Sequence, residues 1–147
     1  MVKLSFSITP PADCAIVPIF EEKNLEPAVK SLDKEYDGVI RSALETEDFA
    51  GKKMQLSLLY TKKMSTSRIL LVGLGPKKDL TIRGYKQALG TAVIAAQSKK
   101  TKSISILIPE GAIIAFGAQR AAAQATVAAV TASYSFDEYK KRKESIR

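Results

Sequence analysis

Polar and apolar positions alternate from the start of the chain: Leu4, Phe6 and Ile8 are interleaved with Lys3, Ser5 and Ser7, the two-residue period of a half-buried strand. After "TPPAD", whose prolines break the alternation, "CAIVPIF" is almost wholly apolar, as in a strand covered on both faces. Pro18 within it donates no ladder hydrogen bond and predicts an edge position or a bulge. Leu25, Val29, Leu32 and Tyr36 then recur at helical spacing, with Pro27 suited to the first turn. Gly38 interrupts, and Val39, Ile40, Ala43 and Leu44 predict a second, short helix.

"KMQLSLLY" and "RILLVGLG", joined by the polar "TKKMSTS", predict a hairpin. Four large apolar residues in a row place its second strand centrally in the sheet. Thr81 is positioned to cap a helix whose inner face carries Ile82, Tyr85, Leu89, Ala92, Val93 and Ala96. "SISILIP" predicts another strand, ended by Pro109, and "AIIAFGAQRAAAQATVAAVTAS" one alanine-rich helix with Phe116, Val127 and Val130 on one stripe. Alanine has the highest helix propensity and allows close approach to a sheet. The order β-β-α-α-β-β-α-β-α implies an α/β fold, a three-layer α/β/α sandwich with a mixed sheet. No repeat or low-complexity linker divides the chain. Residues 1–132 read as one domain, and composition shifts only in 133–147, where aromatics give way to "KKRK".

Length and composition agree with a single folded domain: 147 residues, 46% apolar and 26% charged. The net charge of +8 owes nothing to histidine, which is absent. A basic balance permits nucleic-acid or anionic partners without specifying one. The single cysteine, Cys14, cannot form an internal disulfide; in "CAIVPIF" it reads as a small core hydrophobe. The N-terminus lacks the continuous apolar stretch of a signal peptide, and no run approaches the ~18 apolar residues of a membrane span. A cytoplasmic location without membrane contact is expected.

Candidate chemistry is sparse. Without histidine, and with its one cysteine assigned to the core, the chain offers only carboxylates as metal ligands, and these are scattered. Glu21 with Glu22, and Glu45 with Glu47 and Asp48, read as solvated faces with no base or electrophile beside them. A serine or cysteine nucleophile would lack an activating histidine. No catalytic and no metal-binding residue is assigned, and the chain alone is expected not to be an enzyme. The most suggestive local feature is "VGLGPKKDLT", where an apolar strand runs through Gly73 and Gly75 into Lys77, Lys78 and a helix start. Glycines admit close backbone approach, and helix N-termini favour anions. The turn is thus a weak anion-binding candidate: it is only G-x-G, with Lys78 where a dinucleotide fingerprint has its third glycine. The lysines fall in groups at 52–53, 62–63, 77–78, 99–102 and 140–143. Those before and after strands are expected at opposite ends of the sheet, which spreads the charge.

Three stretches together give a resemblance. "RILLVGLGPKKDLTIRGYKQALGTAV" resembles the strand, glycine turn and helix of the N-terminal domain of leucyl aminopeptidases, the M17 cytosol aminopeptidases. "CAIVPIFEEKNL" resembles that domain's early strand, and "TASYSFDEYKKRK" its Y-x-F-x-x-Y-K segment after the last helix. The resemblance covers essentially the whole chain and implies a macro-domain-like fold that supports hexamer assembly and partly shapes access to the active sites. It implies that the full-length enzyme uses two divalent ions (zinc, manganese or magnesium) to remove N-terminal residues, leucine favoured, from peptides. Its metal ligands and catalytic groups lie in a C-terminal domain, in motifs such as N-T-D-A-E-G-R that do not occur here. No cofactor is therefore implied for this chain itself, and residues 133–147 become the start of an interdomain linker. Some bacterial members also bind DNA. The alternatives are a macro-like module for a phosphorylated ligand, using the Gly73–Gly75 turn, and a DNA-binding accessory domain.

Overall fold

The computed structural model describes residues 3–5, 13–22, 25–46, 49–61, 67–99 and 101–145. Its strands are β1 (Lys3–Ser5), β2 (Cys14–Phe20), β3 (Leu56–Tyr60), β4 (Arg68–Gly75) and β5 (Ser103–Ile106). They form one sheet in the order β1-β5-β2-β4-β3, parallel except for the antiparallel β3–β4 hairpin. The helices are α1 (Pro27–Glu35), α2 (Val39–Glu45), α3 (Ile82–Ser98), α4 (Glu110–Phe116) and α5 (Ala118–Ser145). This is the mixed α/β sandwich that the pattern predicts.

Strict alternation along the inner strands divides the core. Cys14 and Ile16 of β2, Leu70 and Val72 of β4, and Ile104 and Ile106 of β5 face α3 and α5. Their neighbours Ala15, Val17, Ile19, Ile69 and Leu71 face α1 and α2. Both faces are covered, so β2 and β4 must be apolar throughout. Pro18 lies in a strand between two neighbours, at a place where the sheet tolerates it: β5 pairs β2 only through Ile16, and the register with β4 shifts between Ile19 and Phe20. A bulge follows the proline, but the strand is central and not an edge.

Local caps explain the helix starts. Thr81 Oγ1 accepts the Gly84 N–H at 3.0 Å and opens α3 as expected. Gly38, with φ +75°, has no side chain to cap α2. The buried Asp33 carboxylate does so instead, accepting from Ile40 N at 2.8 Å and Arg41 N at 3.1 Å.

The alanine-rich segment departs from the single helix predicted for it. Gly117, at φ +87°, separates α4 from α5, and the two meet at 110°. The inward stripe differs too: Ala121, Ala125, Ala128, Ala129 and Ala132 are buried, whereas Val127 and Val130 are 47% and 53% exposed and Phe116 is half-buried. Small residues win the inner face because α5 lies close along α3. Tyr85 Oη donates to the Ala121 carbonyl at 2.9 Å, a Cβ on Gly90 would sit 3.7 Å from Ala132 Cβ, and Gln97 Nε2 donates to Ser133 Oγ at 3.0 Å. These pairings advance together along both helices, so α3 and α5 run parallel. Residue 133 then lies beside the end of α3, and α5 continues as an arm of three more turns, about 18 Å at 1.5 Å per residue. The segment 133–147, expected to open a linker, is thus helical through Ser145 and continuous with the domain.

Candidate functional site: the glycine turn and its surroundings

β4 ends in Gly73-Leu74-Gly75, followed by Pro76, a 3-10 turn at Lys77–Asp79 and the start of α3. The segment 51–55 crosses directly over this turn. A Cβ on Gly73 would run into the Lys52 carbonyl, so only glycine fits there. The turn's donors are engaged by that crossing. Gly73 N–H donates to Gln55 O at 2.8 Å and Gly75 N–H to Gly51 O at 3.0 Å. Lys77 N–H donates to the Glu22 carboxylate at 2.8 Å. Lys77 Nζ stands 3.7 Å from Glu26 Oε2 and 5.4 Å from the centroid of the Phe20 ring. Lys78 is exposed. The structure therefore brings Gly73, Gly75 and Lys77 together, with backbone carbonyls on the two glycine N–H groups and the Glu22 and Glu26 carboxylates on Lys77.

Beside the turn lies a pair that local spacing did not single out. Glu26, 9% exposed, accepts Glu110 N–H at 3.1 Å and Gly111 N–H at 2.6 Å, which satisfies the start of α4. Glu110 Oε1 in turn accepts Ala28 N–H at 3.0 Å, at the start of α1. Each carboxylate sits at the positive end of the other's helix. The available sequence signal is an acid immediately before Pro27 and another after Pro109, both at helix starts.

Next to this pair, an open groove of about 920 Å³ runs past α1, α2 and residues 49–52. Lys30, Arg41 and Lys52 share its walls with Glu21, Glu22 and Glu45, so it presents no single sign of charge. Lys52, Lys53, Lys77 and Lys78 flank this end of the sheet. Lys99 lies at the other end, where its carbonyl accepts from Arg68 Nη1 at 3.0 Å, and the Lys102 N–H donates to Asp13 there at 2.9 Å. Lys140 and Lys141 are exposed on the arm, Lys62, Lys63, Lys100, Glu47 and Asp48 lie outside the described residues, and nothing is described of the Lys143 side chain.

The described residues bring no catalytic set of side chains together. Among the described residues no three His, Cys, Asp or Glu side chains gather as a metal site. Cys14 is fully buried, and that burial outweighs the attraction of Arg68 and raises its thiol pKa from 9.0 to about 11. A neutral buried thiol is a poor nucleophile. Burial likewise pushes the Tyr85 phenol up. No single described helix is long and apolar enough to cross a membrane.

What the surface does offer is apolar. Tyr134 and Tyr139 are 67% and 62% exposed on the arm of α5. Tyr139 continues the helix face that Ala121, Ala125 and Ala132 bury against α3.

Comparison with known proteins gives this fold its context. The profile of the cytosol aminopeptidase family, N-terminal domain, matches residues 16–143. A probable cytosol aminopeptidase of Alkalilimnicola ehrlichii is 33% identical over 147 residues, covering 99% of this chain and 30% of that protein. One of Aeromonas hydrophila is 30% identical over 135 residues, covering 91% and 27%. The chain thus spans under a third of the length of these curated relatives. Among solved structures, a mutant tomato leucine aminopeptidase superposes with a TM-score of 0.66 at 23% identity, over 90% of this chain and 28% of that one. The macrodomain of Mycobacterium tuberculosis DarG superposes with a TM-score of 0.52 at 8% identity, over 72% and 74%. Both share the fold, which is macro-domain-like.

Proposed function

Because this chain belongs to the cytosol aminopeptidase family as its N-terminal domain, we propose that it is a non-catalytic assembly and access-shaping domain of a leucyl aminopeptidase. The full-length enzyme is then a two-metal exopeptidase that releases N-terminal residues from peptides in the cytoplasm as a homo-hexamer. The observation that carries this reading is the coverage: relatives named as aminopeptidases match 99% and 91% of this chain, yet most of their length lies beyond it.

The chemistry of the chain supports the same division of labour. The described residues form no ligand set for a divalent ion, so zinc, manganese or magnesium would be held by the catalytic region and no catalytic step is routed through this domain. Residues 133–147, helical as far as Ser145, serve as the lead toward that region, with Tyr139 facing it. The reading is tested by sequencing the source gene past the codon for Arg147. It expects an in-frame continuation with aspartate-, glutamate- and lysine-bearing metal-site motifs such as N-T-D-A-E-G-R. A stop codon there would overturn it.

The other readings have less behind them. A module for a phosphorylated ligand would have to recognise it without the N–H groups of Gly73, Gly75 and Lys77, which the protein itself uses. A DNA-binding accessory domain would have to work with lysines divided between the two ends of the sheet.

A further inference from the structure

The outer face of α5 carries a second apolar seam that the domain leaves uncovered. Arg120, Ala123, Val127, Val130, Tyr134 and Asp137 follow one another at alternating steps of three and four residues, and all six are exposed. That is the spacing of a two-helix seam. The opposite face of α5 is already occupied by α3, so the outer seam contributes nothing to the fold of one copy.

From the order of residues along this seam, we infer that a second copy of this chain covers it, α5 against α5, antiparallel about a two-fold axis between Ala128 and Ala129. An isologous interface must be complementary to itself, and this one is at every step. Val127 meets Val130 of the second copy, and Ala123 meets its Tyr134, so the largest side chain falls opposite the smallest. Arg120 meets its Asp137, and the axis repeats each pairing. A parallel arrangement would instead oppose Arg120 to Arg120, Asp137 to Asp137 and Tyr134 to Tyr134, which is repulsive and overpacked. The seam is short beside the roughly 800 Å² per partner of a standard interface, so dissociation in the micromolar range is expected.

The inference rests on the assembly role proposed above, to which it adds a face and a symmetry. Sedimentation velocity on the chain, from low micromolar to near-millimolar concentration, tests it. The wild type is expected to pass from monomer to dimer. Val130→Glu, a change at an exposed position, should stay monomeric with an unaltered circular dichroism spectrum. Arg120→Asp and Asp137→Arg should each weaken association about tenfold or more, and the double exchange should restore it. A wild type that associates with Val130→Glu unaffected would overturn the face and leave the assembly role standing. Failure of the double exchange to restore dimers would overturn the register. A wild type that is monomeric throughout would overturn both.

Discussion

Glu26 and Glu110 cap each other's helices across the C-terminal edge of the sheet: Glu26 accepts the N–H groups of Glu110 and Gly111, and Glu110 accepts that of Ala28. Two loops far apart in sequence are thereby locked together beside the glycine turn, with Lys77 balancing the charge on Glu26. Glu26→Ala would leave partly buried donors at the start of α4 to find other partners, at a cost of about 1 kcal/mol or more. Glu110→Ala should cost about 1 kcal/mol, as for loss of an N-cap. Urea unfolding of both singles and the double checks the coupling; the double is expected to cost less than the sum, because each change loosens the same contact.

Two glycine substitutions should move stability in opposite directions. Gly73→Ala drives a Cβ into the Lys52 backbone and is expected to destabilise by about 3 kcal/mol or more, with poor soluble yield. Gly90→Ala places its Cβ 3.7 Å from Ala132 Cβ, an ordinary contact. It should stabilise α3 by up to about 1 kcal/mol. Thermal melts of the two variants beside the wild type read the difference.

Alkaline titration should expose the burial of Cys14. Because its folded pKa is raised from 9.0 to about 11, the stability this thiol contributes is whole below about pH 9 and is lost as pH rises from there toward 11. The loss is bounded at about 3 kcal/mol, two pKa units at 1.36 kcal/mol each. Denaturation midpoints from pH 8 upward should fall more steeply for the wild type than for Cys14→Ala, and a thiol reagent at pH 8 should label the protein only after unfolding.

Much of this architecture was legible locally, and what was not had a distant partner. The hairpin, the double-sided strands and the Thr81 cap follow from period and composition alone. The break at Gly117 was hidden because alanine recurs on both sides of it. The inner face of α5 was misread for a related reason. Larger Val127 and Val130 looked like core, but the close approach of α3 admits only alanine. Gly73 was visible as special, yet its reason is the backbone of Lys52, which no local spacing reveals. Glu26 and Glu110 are 84 residues apart, and only the folded chain shows that they meet.

The glycine turn should be silent toward phosphates. With its N–H groups donating to Gln55, Gly51 and Glu22, titration calorimetry with ADP-ribose or inorganic phosphate at millimolar concentration is expected to give no heat of binding. Saturable heat that Lys77→Ala and Lys78→Ala abolish would instead make the turn a working anion site.

A non-catalytic domain leaves the family's chemistry to the region beyond it, and incubating the purified chain with a chromogenic leucine amide and Mn²⁺ or Zn²⁺ reads this out. No hydrolysis above the metal blank is expected at any protein concentration. Turnover that scales with protein and is abolished by a chelator would mean that this domain is itself catalytic.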